Sequence, residues 1–97
     1  MATYIISEKA LQDLEDIWAY TFKTWSKEQA DRYYALLIDE IEYVAEHNET
    51  GKLMDHVKQG YRAAKVKSHL IFYKKSNKII VIIRILHQRM DIQNRLK

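Results

Sequence analysis

The sequence contains no cysteine and no proline, and its only glycines are Gly51 and Gly60. Without cysteine the chain can form neither a disulfide nor a thiolate metal site, which fits a reducing cytoplasm. Two isolated glycines exclude a glycine-rich phosphate-binding loop, and no serine lies in a nucleophile-elbow context. The four histidines are scattered and lack metal-ligand spacing. We therefore expect no metal site and no cofactor.

Long hydrophobic segments are also missing. The longest apolar run, "IIVIIRIL", is interrupted by Arg84 and is far shorter than the ~20 residues that a membrane-spanning helix needs. The N-terminus, "MATYIISEKALQDLED", lacks the basic region of a signal peptide and soon becomes acidic. We expect a soluble, cytoplasmic protein with no membrane contact, folded as a single domain over residues 1–97.

Charge is distributed very unevenly along the chain, although the total is only +3. Residues 1–49 hold four Lys or Arg and eleven Asp or Glu, a net charge of −7, whereas residues 50–97 hold twelve and two, a net charge of +10. Such segregation indicates a basic surface for an anionic partner. The alternative is internal complementarity, with an acidic helical layer beside a basic sheet.

Hydrophobic periodicity predicts one strand, then two helices, then three strands. Ser7 is placed to cap the first helix, and "SKEQ" at 26–29 is a capping box that starts the second. The segment 48–60 is predicted to be a loop. The predicted strands cover 3–7, 61–67, 69–75 and 78–86.

These elements predict an α+β fold in which an N-terminal helical hairpin packs on a small, mainly antiparallel sheet. The first strand is expected to pair with the strand at 78–86. In that strand the residues that point to either face of the sheet are apolar, so both faces should be covered. The hairpin can cover one face, and the tail, a loop or another molecule must cover the other.

Basic residues are concentrated on the predicted sheet and at its exit, "RILHQRMD". By alternation, Arg62 shares a face with Ala64 and Val66, and Arg84 shares one with Ile82 and Leu86. Such arginines need a carboxylate, a carbonyl or an anionic ligand to offset desolvation. Arg84 could pair internally with Asp13 or Asp16. As a set, the candidate residues of a partner-binding surface are Arg62, Lys65, His69, Tyr73, Arg84, His87 and Arg89.

Two further interpretations concern histidines and aromatic residues. Imidazoles beside cations could cleave RNA by acid–base chemistry, although His69 is equally consistent with a structural role. The aromatic residues of the helices could form a groove for a partner's amphipathic helix, or simply border the core. The candidates for that groove are Trp18, Trp25, Tyr33 and Tyr34.

Three segments, "SEKALQDLEDIWAYT", "GYRAAKVKSHLIFYK" and "IIRILHQRMD", resemble the ParE branch of the RelE/ParE toxins of bacterial type II toxin–antitoxin systems. The resemblance implies a toxin that poisons DNA gyrase without hydrolytic chemistry and that a ParD-like antitoxin neutralises by wrapping around it. RelE-type relatives instead cut messenger RNA in the ribosome, and the resemblance to them would place the catalytic candidates of this chain at Arg62, Arg84 and His87. This chain departs from their pattern because no tyrosine follows Tyr73. A general RNA-binding domain, suggested only by the basic half, is the third alternative.

Overall fold

The computed structural model describes residues 3–96, so Met1, Ala2 and Lys97 of the expected domain lie outside the described residues. A five-stranded sheet with the order β1-β5-β4-β3-β2 carries two long helices, which confirms the expected α+β fold. β1 pairs with β5, as predicted; this pair is parallel and the other pairs are antiparallel. The elements are β1 (Thr3–Ile6), α1 (Glu8–Thr24), α2 (Lys27–Glu46), β2 (Lys52–Leu53), β3 (Arg62–Val66), β4 (His69–Ser76), β5 (Ile79–His87) and α3 (Ile92–Arg95).

Both long helices begin where the serine caps predict. The Ser7 hydroxyl accepts the amide of Ala10 at 3.0 Å, and the Ser26 hydroxyl accepts that of Gln29 at 3.1 Å. Each bond satisfies an amide that the first helical turn leaves without an intrahelical partner. Within residues 3–96, no helix combines the length and the apolar character needed to cross a membrane.

The face of the sheet under the helices carries the larger core, here called the hairpin-side core. Leu14 of α1 and Leu37 and Ile41 of α2 are buried against Ile71 and Ile82 of the sheet. Burying aliphatic side chains of this kind stabilises a fold by roughly 1.5–3 kcal/mol each. This core fixes how the hairpin lies across the strands.

The opposite face of the sheet carries a second, smaller cluster, the tail-side core. Leu96 and Ile92 from the C-terminal segment pack there with Phe72 and Leu86, and Met54 and Val57 from the connection between β2 and β3 complete the cover. The sequence required a cover for this face, and the tail and a loop supply it. The short strand β2 was not predicted, because two paired residues are too few to produce a periodic pattern.

A β-bulge interrupts the pairing of β4 with β5, where the register skips Ile83. Before the bulge, Ile82 belongs to the hairpin-side core, whereas Leu86 after it belongs to the tail-side core. The expectation that Arg84 and Leu86 share a face with Ile82 is therefore wrong. The extra residue shifts the inside–outside alternation of the strand by one position.

Candidate functional site

An aromatic groove of about 870 Å³ lies where the end of the hairpin meets one end of the sheet, and we call it the hairpin groove. The C-terminal half of α1, the start of α2, the β3–β4 turn and the exit of β5 all contribute to it. Three of its apolar side chains are strongly exposed: Trp25 at 72%, Tyr20 at 69% and Met90 at 40%. Its lining also includes residues that carry polar or charged groups: Asp16, Tyr33, Lys67, His69 and His87.

The β3–β4 turn and the exit of β5 are fastened together beside this groove. The amide of Gln88 donates to the carbonyl of Ser68 at 2.9 Å, and the amide of Met90 donates to that of His87 at 3.0 Å. Lys67, in the two-residue turn, has a φ of 55°, a left-handed conformation that few non-glycine residues adopt. These contacts fix the polar wall of the hairpin groove.

Two histidines form that polar wall. His69 of β4 and His87 of β5 are direct cross-strand partners, and their ring centroids lie 5.2 Å apart at an interplanar angle of 81°. The Nδ1 atom of His87 accepts the backbone amide of Arg89 at 3.1 Å. Both imidazoles are half-buried and line the hairpin groove.

Tyr33 connects His69 to the helical layer. Its hydroxyl oxygen lies 2.6 Å from Nδ1 of His69 and 3.1 Å from the carbonyl oxygen of Val66, to which it donates. Burial, together with a smaller contribution from the nearby His87, lowers the pKa of His69 to about 4, and Asp13 opposes the shift. Burial also raises the pKa of Tyr33. At neutral pH the pair is therefore a neutral imidazole beside a protonated phenol.

Arg84 lies outside the hairpin groove and is held in a structural ion pair. Its Nε and Nη2 atoms donate to the Asp13 carboxylate at 2.8 and 3.0 Å, and both side chains are less than one-sixth exposed. The same carboxylate accepts the amide of Ile85 at 2.9 Å. The hydrogen bond to Asp13 raises the pKa of the guanidinium, although desolvation opposes the rise. The internal pairing considered from the sequence is thus the arrangement found.

Arg62 is occupied in a second structural contact, at a separate place. Its Nη1 atom donates to the carbonyl of Gly51 at 2.8 Å and to that of Glu49 at 3.3 Å. Nearby, the Tyr73 hydroxyl donates to the carbonyl of Asn48 at 2.8 Å and accepts the amide of Gly51 at 3.0 Å. A Cβ atom at position 51 would overlap that hydroxyl oxygen, so this close approach requires glycine.

The structure therefore divides the residues selected from the sequence. His69, His87, Trp25 and Tyr33 come together in the hairpin groove, and Arg62 and Arg84 do not join them. Tyr73 is only 1% exposed, so the expectation that it contacts a partner is corrected: its ring belongs to the hairpin-side core.

The remaining selected residues lie at the surface in different places. Lys65 and Arg89 are exposed. Trp18 donates its indole N–H to Asp31 at 2.9 Å and stacks on Phe22, outside the hairpin groove, and Tyr34 also lies outside it. No group of three or more potential metal ligands occurs within residues 3–96.

Tyr20 and Met90 are groove residues that sequence reasoning did not select. Tyr20 lies off the apolar stripe of α1, and an aromatic residue at a polar position was the available signal. Met90 sits in a polar tail, where no periodicity marks an exposed apolar side chain. The contribution of Met90 depends on the fold of the exit segment.

Comparisons with known proteins all lead to one group of bacterial proteins. The family model described as "ParE toxin of type II toxin-antitoxin system, parDE" matches residues 4–92. The chain is 38% identical over 96 residues to Toxin ParE1 of Caulobacter vibrioides, covering 99% of each protein. It is 35% identical over 94 residues to Toxin ParE1 of Mycobacterium tuberculosis, covering 96% of each, and 32% identical over 97 residues to Toxin ParE of Escherichia coli, covering 99% of this chain and 94% of that protein.

A solved structure described as "Chromosomal ParDE TA system from P. aeruginosa" has the same fold. It superimposes with a TM-score of 0.79 over 90% of this chain and 96% of that chain. The sequence identity is only 18%, so this likeness concerns the fold alone.

Proposed function

The chain belongs to the ParE toxin family of type II toxin–antitoxin systems, and on that premise we propose that it inhibits DNA gyrase by binding to it and that a ParD-like antitoxin neutralises it. Its place of action is then the cytoplasm, where gyrase meets DNA. The proposed chemistry is binding, with no bond made or broken by the toxin.

The observation that carries the antitoxin part of this proposal is the open hairpin groove. Trp25 and Tyr20 are each more than two-thirds exposed, and Met90 adds further apolar surface beside them. A contiguous exposed apolar surface of this kind is typical of a protein-docking site, and aromatic residues are the usual anchors of such interfaces. The similar P. aeruginosa structure is described as a ParDE system, which supports a protein partner of this type.

The state of the two arginines favours binding over RNA cleavage. Arg84 is paired with Asp13, and Arg62 is bonded to the carbonyls of Gly51 and Glu49. A nuclease of the RelE type would need such guanidinium groups free to stabilise the charge that develops at a phosphate. Among the three residues considered for cleavage, only His87 lines the hairpin groove.

The decisive experiment is a gyrase supercoiling assay with the purified, antitoxin-free chain. We expect loss of supercoiling that the cognate antitoxin reverses. A parallel translation extract tests the alternative, because ribosome-dependent cleavage of messenger RNA that disappears in Arg62→Ala would establish the nuclease function. Folded, antitoxin-free protein that leaves gyrase unaffected would refute the gyrase proposal.

A further inference from the structure

The two groove histidines each use one ring nitrogen for internal bonding and leave the other open. Nδ1 of His69 contacts Tyr33, and Nδ1 of His87 contacts the Arg89 amide. In the described part of the chain, every side-chain nitrogen or oxygen atom that is buried away from solvent has a hydrogen-bond partner. The Nε2 atoms, for which residues 3–96 supply no hydrogen bond, therefore reach the solvent of the hairpin groove.

The bonding of His87 determines what its Nε2 atom can do. A backbone amide can only donate, so Nδ1 must present its lone pair to the N–H of Arg89. A neutral imidazole carries its single proton on the other nitrogen in that case. Nε2 of His87 is thus a hydrogen-bond donor towards the groove.

The bonding of His69 leads to the opposite assignment. The Tyr33 hydroxyl has one proton, which it donates to the carbonyl of Val66. The 2.6 Å contact is satisfied at the same time only if Nδ1–H of His69 donates to the Tyr33 oxygen. If the Tyr33 hydroxyl instead donated its proton to Nδ1 of His69, no proton would lie between that hydroxyl and the Val66 carbonyl. With the proton of the Tyr33 hydroxyl on the Val66 carbonyl, Nε2 of His69 is an acceptor; with that proton on Nδ1 of His69, Nε2 would be a donor, so the position of the ring proton decides the assignment.

We propose that His69 and His87 form an amide-recognition pair, which binds the carboxamide of an asparagine or glutamine side chain that the antitoxin inserts into the hairpin groove. A carboxamide presents an acceptor and a donor on one planar group, which complements a donor and an acceptor on facing residues of neighbouring strands. A carboxylate can only accept, and an ammonium or guanidinium group can only donate, so each satisfies half of the pair.

The surroundings of the pair support a neutral ligand. Asp16 of α1 and Lys67 of the β3–β4 turn line the same groove with opposite charges, so charge alone selects neither a cationic nor an anionic side chain. The exposed rings of Tyr20 and Trp25 offer apolar surface to the stem of the ligand and to the chain that carries it. The identity of the partner rests on the proposed function, whereas the chemistry of recognition rests on the groove itself.

Asparagine substitutions separate the recognition role of each histidine from its structural role. In His69→Asn the amide group can still donate to Tyr33, and in His87→Asn the side-chain oxygen can still accept the Arg89 amide, as in an Asx turn. Each variant removes Nε2 and Cε1, the outer part of the ring, and keeps a hydrogen-bonding atom near the place of Nδ1. His56→Asn is the matched control, because His56 is exposed and lies in the connection between β2 and β3.

The first test uses the free protein and does not depend on any partner. Nitrogen-15 NMR at pH 7.5 should find the proton of His69 on Nδ1 and that of His87 on Nε2. Acetamide, added as a probe, should shift the resonances of both rings, and acetate and methylammonium should shift them less. The opposite tautomer at either histidine, or equal responses to the three probes, would overturn the proposal.

The second test measures the affinity of the cognate antitoxin for the wild type and the variants. We expect His69→Asn and His87→Asn each to weaken binding about tenfold, since a hydrogen bond at a desolvated interface contributes about 1–1.5 kcal/mol, and His56→Asn to leave it unchanged. One Asn→Asp or Gln→Glu change in the antitoxin should weaken binding to a similar extent. When that antitoxin is combined with His69→Asn, the affinity should fall no further than with either change alone. If the wild type binds the antitoxin and the variants bind equally well, the amide pair is refuted. If the wild type does not bind the antitoxin at all, the proposed antitoxin partnership is refuted, and the first test decides whether the amide pair exists.

Discussion

Arg84 and His87 lie only three positions apart at the end of β5, yet they have different roles. Arg84 turns to α1, where the carboxylate of Asp13 matches its charge. His87 turns to the hairpin groove, where one of its nitrogens is bonded and the other is open. A permanent cation that leaves solvent must be paired inside the fold, whereas a neutral imidazole can remain half-buried with a free hydrogen-bonding atom. Arg84 therefore stabilises the fold, whereas the open nitrogen of His87 is available to a ligand.

The same distinction separates the two ends of the molecule. Around Gly51, both Arg62 and Tyr73 are satisfied by backbone groups of the segment that follows α2. Around Trp25, large aromatic surface stays exposed. Changes at the first place should therefore affect folding, and changes at the second should affect binding. Three substitutions and a change of pH test this division, in order of decreasing effect on stability.

The largest loss of stability is expected for Asp13→Ala. The substitution leaves the Arg84 guanidinium partly buried without its anion and removes the acceptor of the Ile85 amide. We expect the free energy of unfolding to fall by about 2–4 kcal/mol in a urea titration. Glu15→Ala, an exposed change on the same helix, should cost under about 0.5 kcal/mol. Equal losses in the two variants would show that the ion pair is not structural.

Tyr73→Phe should produce the second largest loss. It removes one hydroxyl that donates to the Asn48 carbonyl and accepts the Gly51 amide, and it leaves both backbone groups in a poorly hydrated place. We expect destabilisation of about 1–2 kcal/mol, measured by chemical denaturation. Tyr43→Phe is the control, because Tyr43 is 48% exposed. A loss no greater than that of the control would mean that water replaces the hydroxyl at no cost.

Acidification should reveal the burial of His69. The unfolded chain takes up this proton near pH 6.5, and the folded chain does so only near pH 4, so acid favours the unfolded state across that interval. The effect should be on the order of 1 kcal/mol, because solvent screens part of the shift. As the pH falls from 7.5 to 4, the melting temperature of the wild type should drop by more than that of His69→Asn, which lacks this proton uptake. If the difference between the two melting temperatures stayed constant with pH, the proton would be taken up by a group other than His69.

Trp25→Ala should have the smallest effect on folding and a large effect on binding. The side chain is 72% exposed, so we expect a change in stability within about 0.5 kcal/mol. If Trp25 anchors the antitoxin, its removal should weaken the complex at least about tenfold in a calorimetric titration. Tyr43→Ala removes another exposed aromatic residue outside the hairpin groove and should leave the affinity unchanged. Similar affinity in both variants would exclude the groove as the main contact.

The sequence by itself determined the kind and order of most elements. Periodicity identified both helices and four of the five strands, and the serines at positions 7 and 26 marked the helix starts. These features follow from local propensity and from the alternation of apolar residues, which a single segment displays without its neighbours. The doubly apolar strand also required two covers, and the hairpin and the tail provide them.

Only the tertiary structure decided which polar residues are free. Asp13 and Arg84 meet although they are 71 residues apart in the chain, and the bulge at Ile83 reversed the faces that simple alternation assigned beyond it. Tyr73 looked like a surface residue among lysines and is buried, because a glycine from a distant loop leaves room for its hydroxyl. His69 and His87 face each other only through the register of β4 and β5. Contacts between distant segments depend on strand register and helix placement, which the packing of the whole chain sets.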